Sequence, residues 1–230
     1  MKDNETIAIG WITSGTIYNE FAMSVMDIIW NRKNVVTDYI NCTGSYIGVN
    51  RQRLTKNFLE DTTADWLLML DTDVIIRIKD FDTLVEAADA EKYPVLSGMY
   101  FFHFPDETPS FKVNAQTERG WLGSYPENSI VENLESVGEG YVLIHRSVFE
   151  KIKADNPDVW APWFSDGLLA NGIEVSEDNY FCEQCKKSGI PIALHTGATS
   201  RHIGKMAITQ EHFLRQQKPA IDPKNVLRYL

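Results

Sequence analysis

The run Trp66-Leu67-Leu68-Met69-Leu70 ends in Asp71-Thr72-Asp73, so an apolar segment delivers two carboxylates to its own terminus. Such a run ahead of polar residues predicts a strand of a parallel sheet, and side chains two apart on an extended segment face the same way. Asp71 and Asp73 are therefore expected to share one hard divalent cation at the carboxyl end of a strand, where open α/β sheets collect their ligands. The same acids would also suit a loop start or a helix cap. A second acidic pair, Glu177-Asp178, follows Ser176 at the predicted start of a helix. A carboxylate there can point into a crevice and accept a proton; equally, Ser176 can cap the helix and the acids can meet its dipole.

Cys182 and Cys185, with His195 and His202 downstream, have the residue types of a zinc site but not the usual spacing. They fall inside a predicted helix rather than at its start, which argues against thioredoxin-type redox chemistry and for use as small apolar residues. With Cys42 the total is three, an odd number that fits a reducing compartment and no disulfide framework.

The elements that must position these groups alternate. Thr6 to Ile12 predicts a first strand running into the small polar loop Thr13-Ser14-Gly15-Thr16. Phe21, Val25, Ile28 and Ile29 recur at helical spacing, and Asn34 to Ile40 returns to strand character. Asn50 to Glu60 predicts a second crossover helix, with Leu54, Phe58 and Leu59 on one face and Arg51, Arg53 and Lys56 around its start. Phe81 to Ala90 is a further helix, followed by the strand Pro94 to Ser97. From Tyr100 to Asn128 the rhythm breaks into aromatics, Pro and Gly, which implies a long excursion over one edge. Glu135 to Ile144 is expected as one returning strand with a glycine bend, His145 to Lys153 as a short helix, and Ile190 to Leu194 as a last strand before Arg201-His202-Ile203-Gly204-Lys205. Strand-helix alternation predicts an α/β fold with a parallel sheet.

The bulk composition narrows the function classes. A chain of 230 residues suits one large α/β domain or a core with an insertion. Its formal net charge of −10 argues against broad electrostatic binding to nucleic acid, leaving room only for a local basic groove. No apolar run approaches the roughly 20 residues of a membrane span, and the first residues lack a signal-peptide pattern. A soluble, cytoplasmic protein is expected.

In order along the chain, the TSG loop, LLMLDTDV, SGMYFF, VGEGYVLIHRSVFEKI, SEDNYFCEQCKKSGI and RHIGK resemble the GT-A glycosyltransferases, especially the small family-2-like enzymes of bacteria and their phages. The resemblance spans roughly residues 6 to 205. It implies a Rossmann-like, mostly parallel central sheet flanked by helices, with a smaller antiparallel element on the acceptor side. Residues 1–217 would form one domain, with a nucleotide-binding half of about 1–99, an acceptor-side half of about 100–205 and a tail at 218–230. For phage-encoded members the compartment would be the host cytoplasm.

The activity the resemblance implies is transfer of a sugar from a nucleotide-sugar, a UDP-sugar foremost, to an acceptor hydroxyl, with inversion favoured. Mn²⁺ or Mg²⁺ would neutralise the leaving diphosphate. Asp73 would be the direct metal ligand and Asp71 would reach the ribose or a metal-bound water. His202 matches the third ligand, and its imidazole tilts the preference toward Mn²⁺. Arg201 or Lys205 would meet diphosphate oxygens, Thr13, Ser14 and Gly15 would hold the nucleoside, and Arg51 or Arg53 would lie near base and diphosphate. Gly138 and Gly140 would bring backbone close to donor or acceptor. Asp178 is implied as the general base with Glu177 beside it; in a retaining enzyme the pair would position substrate instead. Trp121, Trp160, Trp163 and Phe164 are available for stacking or for core packing. The acceptor is open among a virion protein, a modified DNA base, a glycan and a small molecule. Two other classes compete: a nucleotide- or sugar-binding module without turnover, and a metal-dependent phosphoryl-transfer enzyme.

Overall fold

Every residue of β3 (Trp66–Asp71) except the last is buried, because its two faces are both covered. Leu67 and Met69 pack into one apolar cluster with Leu54, Phe58, Phe149 and Phe181, whereas Trp66, Leu68 and Leu70 pack into another with Phe21, Ile28, Phe81 and Leu84. Alternate side chains of one strand thus feed two cores, which is why the run carries no polar residue.

The computed structural model describes residues 1–2, 4–103, 111–168 and 174–204. Along them lie β1 (Ile7–Thr13), α1 (Asn19–Asn31), β2 (Val36–Thr43), α2 (Ile47–Asp61), β3, β4 (Val74–Ile75), α3 (Ile78–Ala87) and β5 (Val95–Met99). Short strands follow: β6 (Phe101–His103), β7 (Phe111–Val113), β8 (Ala115–Thr117), β9 (Gly120–Trp121), β10 (Ile130–Val131) and β11 (Ser136–Val137). Then come β12 (Tyr141–His145), α4 (Arg146–Asp155), β13 (Gly167–Leu168), β14 (Glu174–Val175), α5 (Glu177–Lys187), β15 (Ile192–Thr199) and β16 (Arg201–His202).

The central sheet has the order β10-β15-β5-β12-β3-β1-β2. Helices α1 and α3 contribute to the core on one face, and α2, α4 and α5 to the core on the other. Five strands run one way, but β12 and β10 run against them, so only the β1–β2, β1–β3 and β5–β15 pairs are parallel. The sheet is therefore mixed where strand-helix alternation had implied a parallel one. The reason lies in the excursion after β5. The chain returns into β12 through tight antiparallel elements rather than a helix, and such a connection permits antiparallel insertion between β5 and β3.

The stretch expected as one returning strand is two. β11 joins β8 and β9 in a small antiparallel sheet, β12 enters the central sheet, and Gly138-Glu139-Gly140 carries the chain between them. The β6–β7 hairpin and the β11-β8-β9 sheet supply the smaller antiparallel element expected on one edge.

Helix α2 has no basic residue in its last turn, and Arg146 of α4 takes that place. Its guanidinium donates to the carbonyls of Phe58, Leu59, Thr62 and Ala64 and stacks over the Phe58 ring at 4.3 Å. A cation there meets both the orphan carbonyls and the negative end of the helix. Arg146→Met, which keeps the stem and removes the donors, is expected to lower unfolding free energy by about 2–3 kcal/mol in urea titration. A loss below about 0.5 kcal/mol would mean that α2 is terminated without it.

Candidate active site

Asp71 is on the same side of β3 as Leu67 and Met69, the face covered by α2, and Arg51 projects from α2 to meet it. One guanidinium nitrogen donates to Asp71 Oδ1 at 2.9 Å. Another donates to the Glu139 carbonyl at 3.1 Å, and Nε lies 3.2 Å from Glu177 Oε1 without hydrogen-bond alignment, so that contact is Coulombic. The Arg51 side chain is only 5% exposed. Burial alone would lower its pKa, but Asp71, Glu139, Glu177 and Asp178 outweigh that and hold the charge in place. Burial likewise raises the Asp71 and Glu177 carboxyls above the usual range, with Arg51 opposing it in both.

β3 ends at Asp71, and Thr72-Asp73 form a turn into β4. Strand alternation therefore stops between the two acids: both line one cavity, but they take different side-chain partners. Asp73 faces His202, whose Nε2 lies 3.4 Å from Asp73 Oδ2. The short antiparallel pairing of β4 with β16 fixes this approach, with His202 opposite Val74 and the Ile203 amide donating to the Asp73 carbonyl at 2.8 Å. The other ring nitrogen of His202 lies 3.1 Å from the Phe101 carbonyl. The hydrogen-bonded contact with Asp73 raises the imidazole pKa.

Two cavities meet at Asp71. One, of about 360 Å³, is lined by Thr13 and Ser14 after β1, Gly44 and Ser45 after β2, Asn50 and Arg51 of α2, Asp71-Thr72-Asp73 and Glu177. The other, of about 400 Å³, is bounded by Tyr100, Phe102, Trp121, Asp178, Gly138 and His202 among others. Thr13 braces its own loop, accepting from the Gly15 amide at 3.0 Å and donating to the Thr16 carbonyl at 2.8 Å. Gly15 has φ of +120°, a backbone state that explains the glycine. The wall between the cavities tolerates no side chain at two further glycines. A Cβ on Gly140 would come within 2.8 Å of Asp71 Oδ2, and one on Gly138 within 2.2 Å of the Tyr100 hydroxyl.

At the start of α5 the Ser176 hydroxyl donates to Asp178 rather than capping the helix, and the Asn179 amide donates to the same Asp178 oxygen at 2.8 Å. Glu177 turns to Arg51 and the first cavity, Asp178 to the second. The pair thus divides between the cavities.

Other expected residues fall elsewhere. Arg53 is exposed on the far side of α2 from Asp71, beside Tyr46 and Trp160, because two residues along a helix is more than half a turn. Arg201 is exposed on β16. Trp163 and Phe164 belong to the core, Trp160 is exposed beneath Lys56, and only Trp121 of the four aromatics faces a central cavity. Cys182 and Cys185 are buried, free and apolar in role, and His195 Nδ1 accepts two backbone amides. Lys205 and the tail 218–230 lie outside the described residues.

Sequence reading missed Glu139, between two glycines that suggested a bend or a close backbone approach but gave the acid itself no role. Its carboxyl is sealed from solvent, with neither oxygen hydrogen-bonded among the described residues. It also missed Asn114, whose carboxamide accepts from the Tyr100 amide at 2.9 Å and donates to Ser97 and the Gly98 carbonyl at 3.0 Å each. These bonds pin the end of β5 to β7, behind Tyr100. Both are single polar residues in loop-like sequence, without a periodic signal.

No cluster of three or more His, Cys, Asp or Glu side chains among the described residues is closed around an ion position. The donor chemistry nevertheless suits a divalent cation in an open arrangement. Asp73 and His202 are adjacent and part-exposed at 37% and 25%, and Arg51 engages only one oxygen of Asp71.

No protein-family model and no curated protein sequence matches the chain. Solved structures do. A197 from STIV is similar with a TM-score of 0.59 and 22% identity, over 87% of this chain and 86% of that one. GalNAc-T7 with UDP, GalNAc and Mn²⁺ is similar with a TM-score of 0.50 and 9% identity, over 87% of this chain and 43% of that one. The inositol-1-phosphate CTP transferase from T. maritima gives 0.50 and 9%, over 94% and 97%. At these identities the likeness is one of fold, a Rossmann-like α/β fold that serves both a glycosyltransferase and a nucleotide transferase.

Burial, opposed by Arg51, raises the Glu139 carboxyl well above its ordinary 4.5. The folded chain therefore keeps a proton that the unfolded chain releases, which stabilises the fold at low pH and is lost as pH rises. Thermal melting from about pH 4.5 to about 8 is expected to decline more steeply in the natural chain than in Glu139→Gln. Parallel curves would mean that Glu139 does not carry this proton.

Proposed function

We propose that the chain is a metal-dependent glycosyltransferase that moves a sugar from a nucleotide-sugar, a UDP-sugar foremost, to an acceptor hydroxyl, with inversion favoured. The observation that carries this reading is the position of Asp71-Thr72-Asp73 where two cavities meet, with His202 beside Asp73 and one acid of the Glu177-Asp178 pair on each side.

In this reading the cavity of Thr13, Ser14, Gly44 and Ser45 takes the nucleoside diphosphate, and backbone and hydroxyl groups meet its polar edges. Asp73 and His202, with the uncommitted oxygen of Asp71, would hold Mn²⁺ or Mg²⁺. When bound, the ion supplies positive charge to the departing diphosphate. Arg51 keeps Asp71 and Glu177 fixed while the donor enters. Asp178 faces the second cavity, where a carboxylate held by Ser176 and the Asn179 amide can accept the proton of an acceptor hydroxyl.

A second reading, nucleotidyl transfer, draws on the equal likeness to the CTP transferase. The products separate the two: glycosyl transfer or donor hydrolysis releases UDP, whereas nucleotidyl transfer from a nucleoside triphosphate releases pyrophosphate. Incubation with Mn²⁺ and panels of UDP-sugars and nucleoside triphosphates, read by mass spectrometry, is expected to yield UDP. Pyrophosphate with no UDP would replace the first reading by the second.

Asp73→Ala is expected to abolish metal-dependent UDP binding in calorimetry, and unchanged affinity would remove the metal role. Asp178→Asn is expected to keep UDP affinity and reduce transfer by about 10²-fold or more. Retained turnover would remove the base assignment.

A further inference from the structure

The larger of the two central cavities, beyond Asp71 from the nucleoside side, has a lining that discriminates among acceptors. Phe102 and Trp121 meet edge to face at 5.1 Å and give it an aromatic wall, and Trp121 is 37% exposed there. Opposite charge chemistry is scarce. Among the described residues, Asp71 and Asp178 are its carboxylates, His202 already has Asp73 as a partner, and no lysine or arginine lines it. Gln116 has no side-chain hydrogen bond among the described residues, and Asn179 uses its amide group on Ser176, leaving its carbonyl oxygen for another donor.

An aromatic wall with carboxamides and hydroxyls around it suits a ligand that is apolar on its flat faces and rich in hydroxyls at its rim. A pyranose ring is such a ligand. A nucleic-acid backbone or a phospholipid headgroup would instead place phosphate against Asp178, while the nearest described guanidinium, Arg51, is already engaged by Asp71 and Glu177. Resting on the glycosyltransferase reading, we propose that this cavity takes a neutral sugar ring and that the acceptor is a glycan or glycoside.

The test uses the full chain with saturating UDP and Mg²⁺, which avoids paramagnetic broadening. Saturation-transfer NMR is recorded with methyl glycosides of glucose, galactose and N-acetylglucosamine, and in competition with a short single-stranded oligonucleotide or glycerol phosphate. Transfer to ring C–H protons of at least one glycoside is expected, undisturbed by either anion. Trp121→Ala should weaken it about fivefold and Trp121→Phe should restore most of it, with UDP affinity unchanged in both. With UDP-sugars added, mass spectrometry should find the glycoside extended by one sugar and the oligonucleotide unaltered. Binding of UDP without any glycoside contact, contact unaffected by Trp121→Ala, or modification of the oligonucleotide would overturn this inference and leave the donor reading intact. Failure of UDP itself to bind would overturn both.

Discussion

A single buried guanidinium organises this site. Arg51 reaches from α2 across the end of β3 and touches Asp71, Glu177 and the Glu139 carbonyl, three points that the chain brings from 20, 126 and 88 residues away. Removing a cation from water is costly unless acids and carbonyls take over its hydration, and here they do. The cost of the acids is lowered in turn, since Asp71 and Glu177 would otherwise be partly buried like charges beside each other. Arg51 thereby fixes the relative position of the first acid of the β3 turn and the first acid of α5. The two cavities differ as a result: one carries Arg51 and Glu177, the other Asp178 and an aromatic wall.

Around this pair, small residues set distances. Gly140 lets the β12 backbone close on Asp71, and Gly138 admits the Tyr100 hydroxyl. Asn114 ties the Tyr100 amide to Ser97 and the Gly98 carbonyl through three bonds. On the other side of the turn, β4 and β16 pair for only two residues each, and that pairing, with the Phe101 carbonyl on the second ring nitrogen, brings His202 to Asp73. The site is thus assembled at the ends of strands, with the apolar interior of the sheet serving as a rigid support.

Much of this was legible in the sequence, for physical reasons. The run before Asp71 announced a strand buried on both faces, and the 3.6-residue spacing of Phe21, Val25 and Ile28 announced α1. The local context of His202 and the acid pair pointed to the rim of the sheet, where both lie. What failed depended on tertiary pairing. The direction of β12 is decided by the short hairpins before it, which have weak periodicity. The different side-chain partners of Asp71 and Asp73, at the rim of one cavity, follow from a turn that alternation rules do not foresee. Arg51 was expected near base and diphosphate, but its burial between Asp71 and Glu177 gave no local signal, because those acids are distant in sequence. Glu139 had no signal beyond its flanking glycines.

The central claim is that Arg51 holds both acid motifs in the geometry that, in the glycosyltransferase reading proposed above, would receive a metal-bound nucleotide. Arg51→Lys keeps the charge but replaces the planar fork by a single point of contact, which cannot serve Asp71, Glu177 and a carbonyl together. The most direct measurement is calorimetric affinity for UDP with Mn²⁺ in this variant, alongside its urea midpoint. The account predicts affinity lowered by about tenfold or more in a chain that still folds. Unchanged affinity in a folded variant would contradict it.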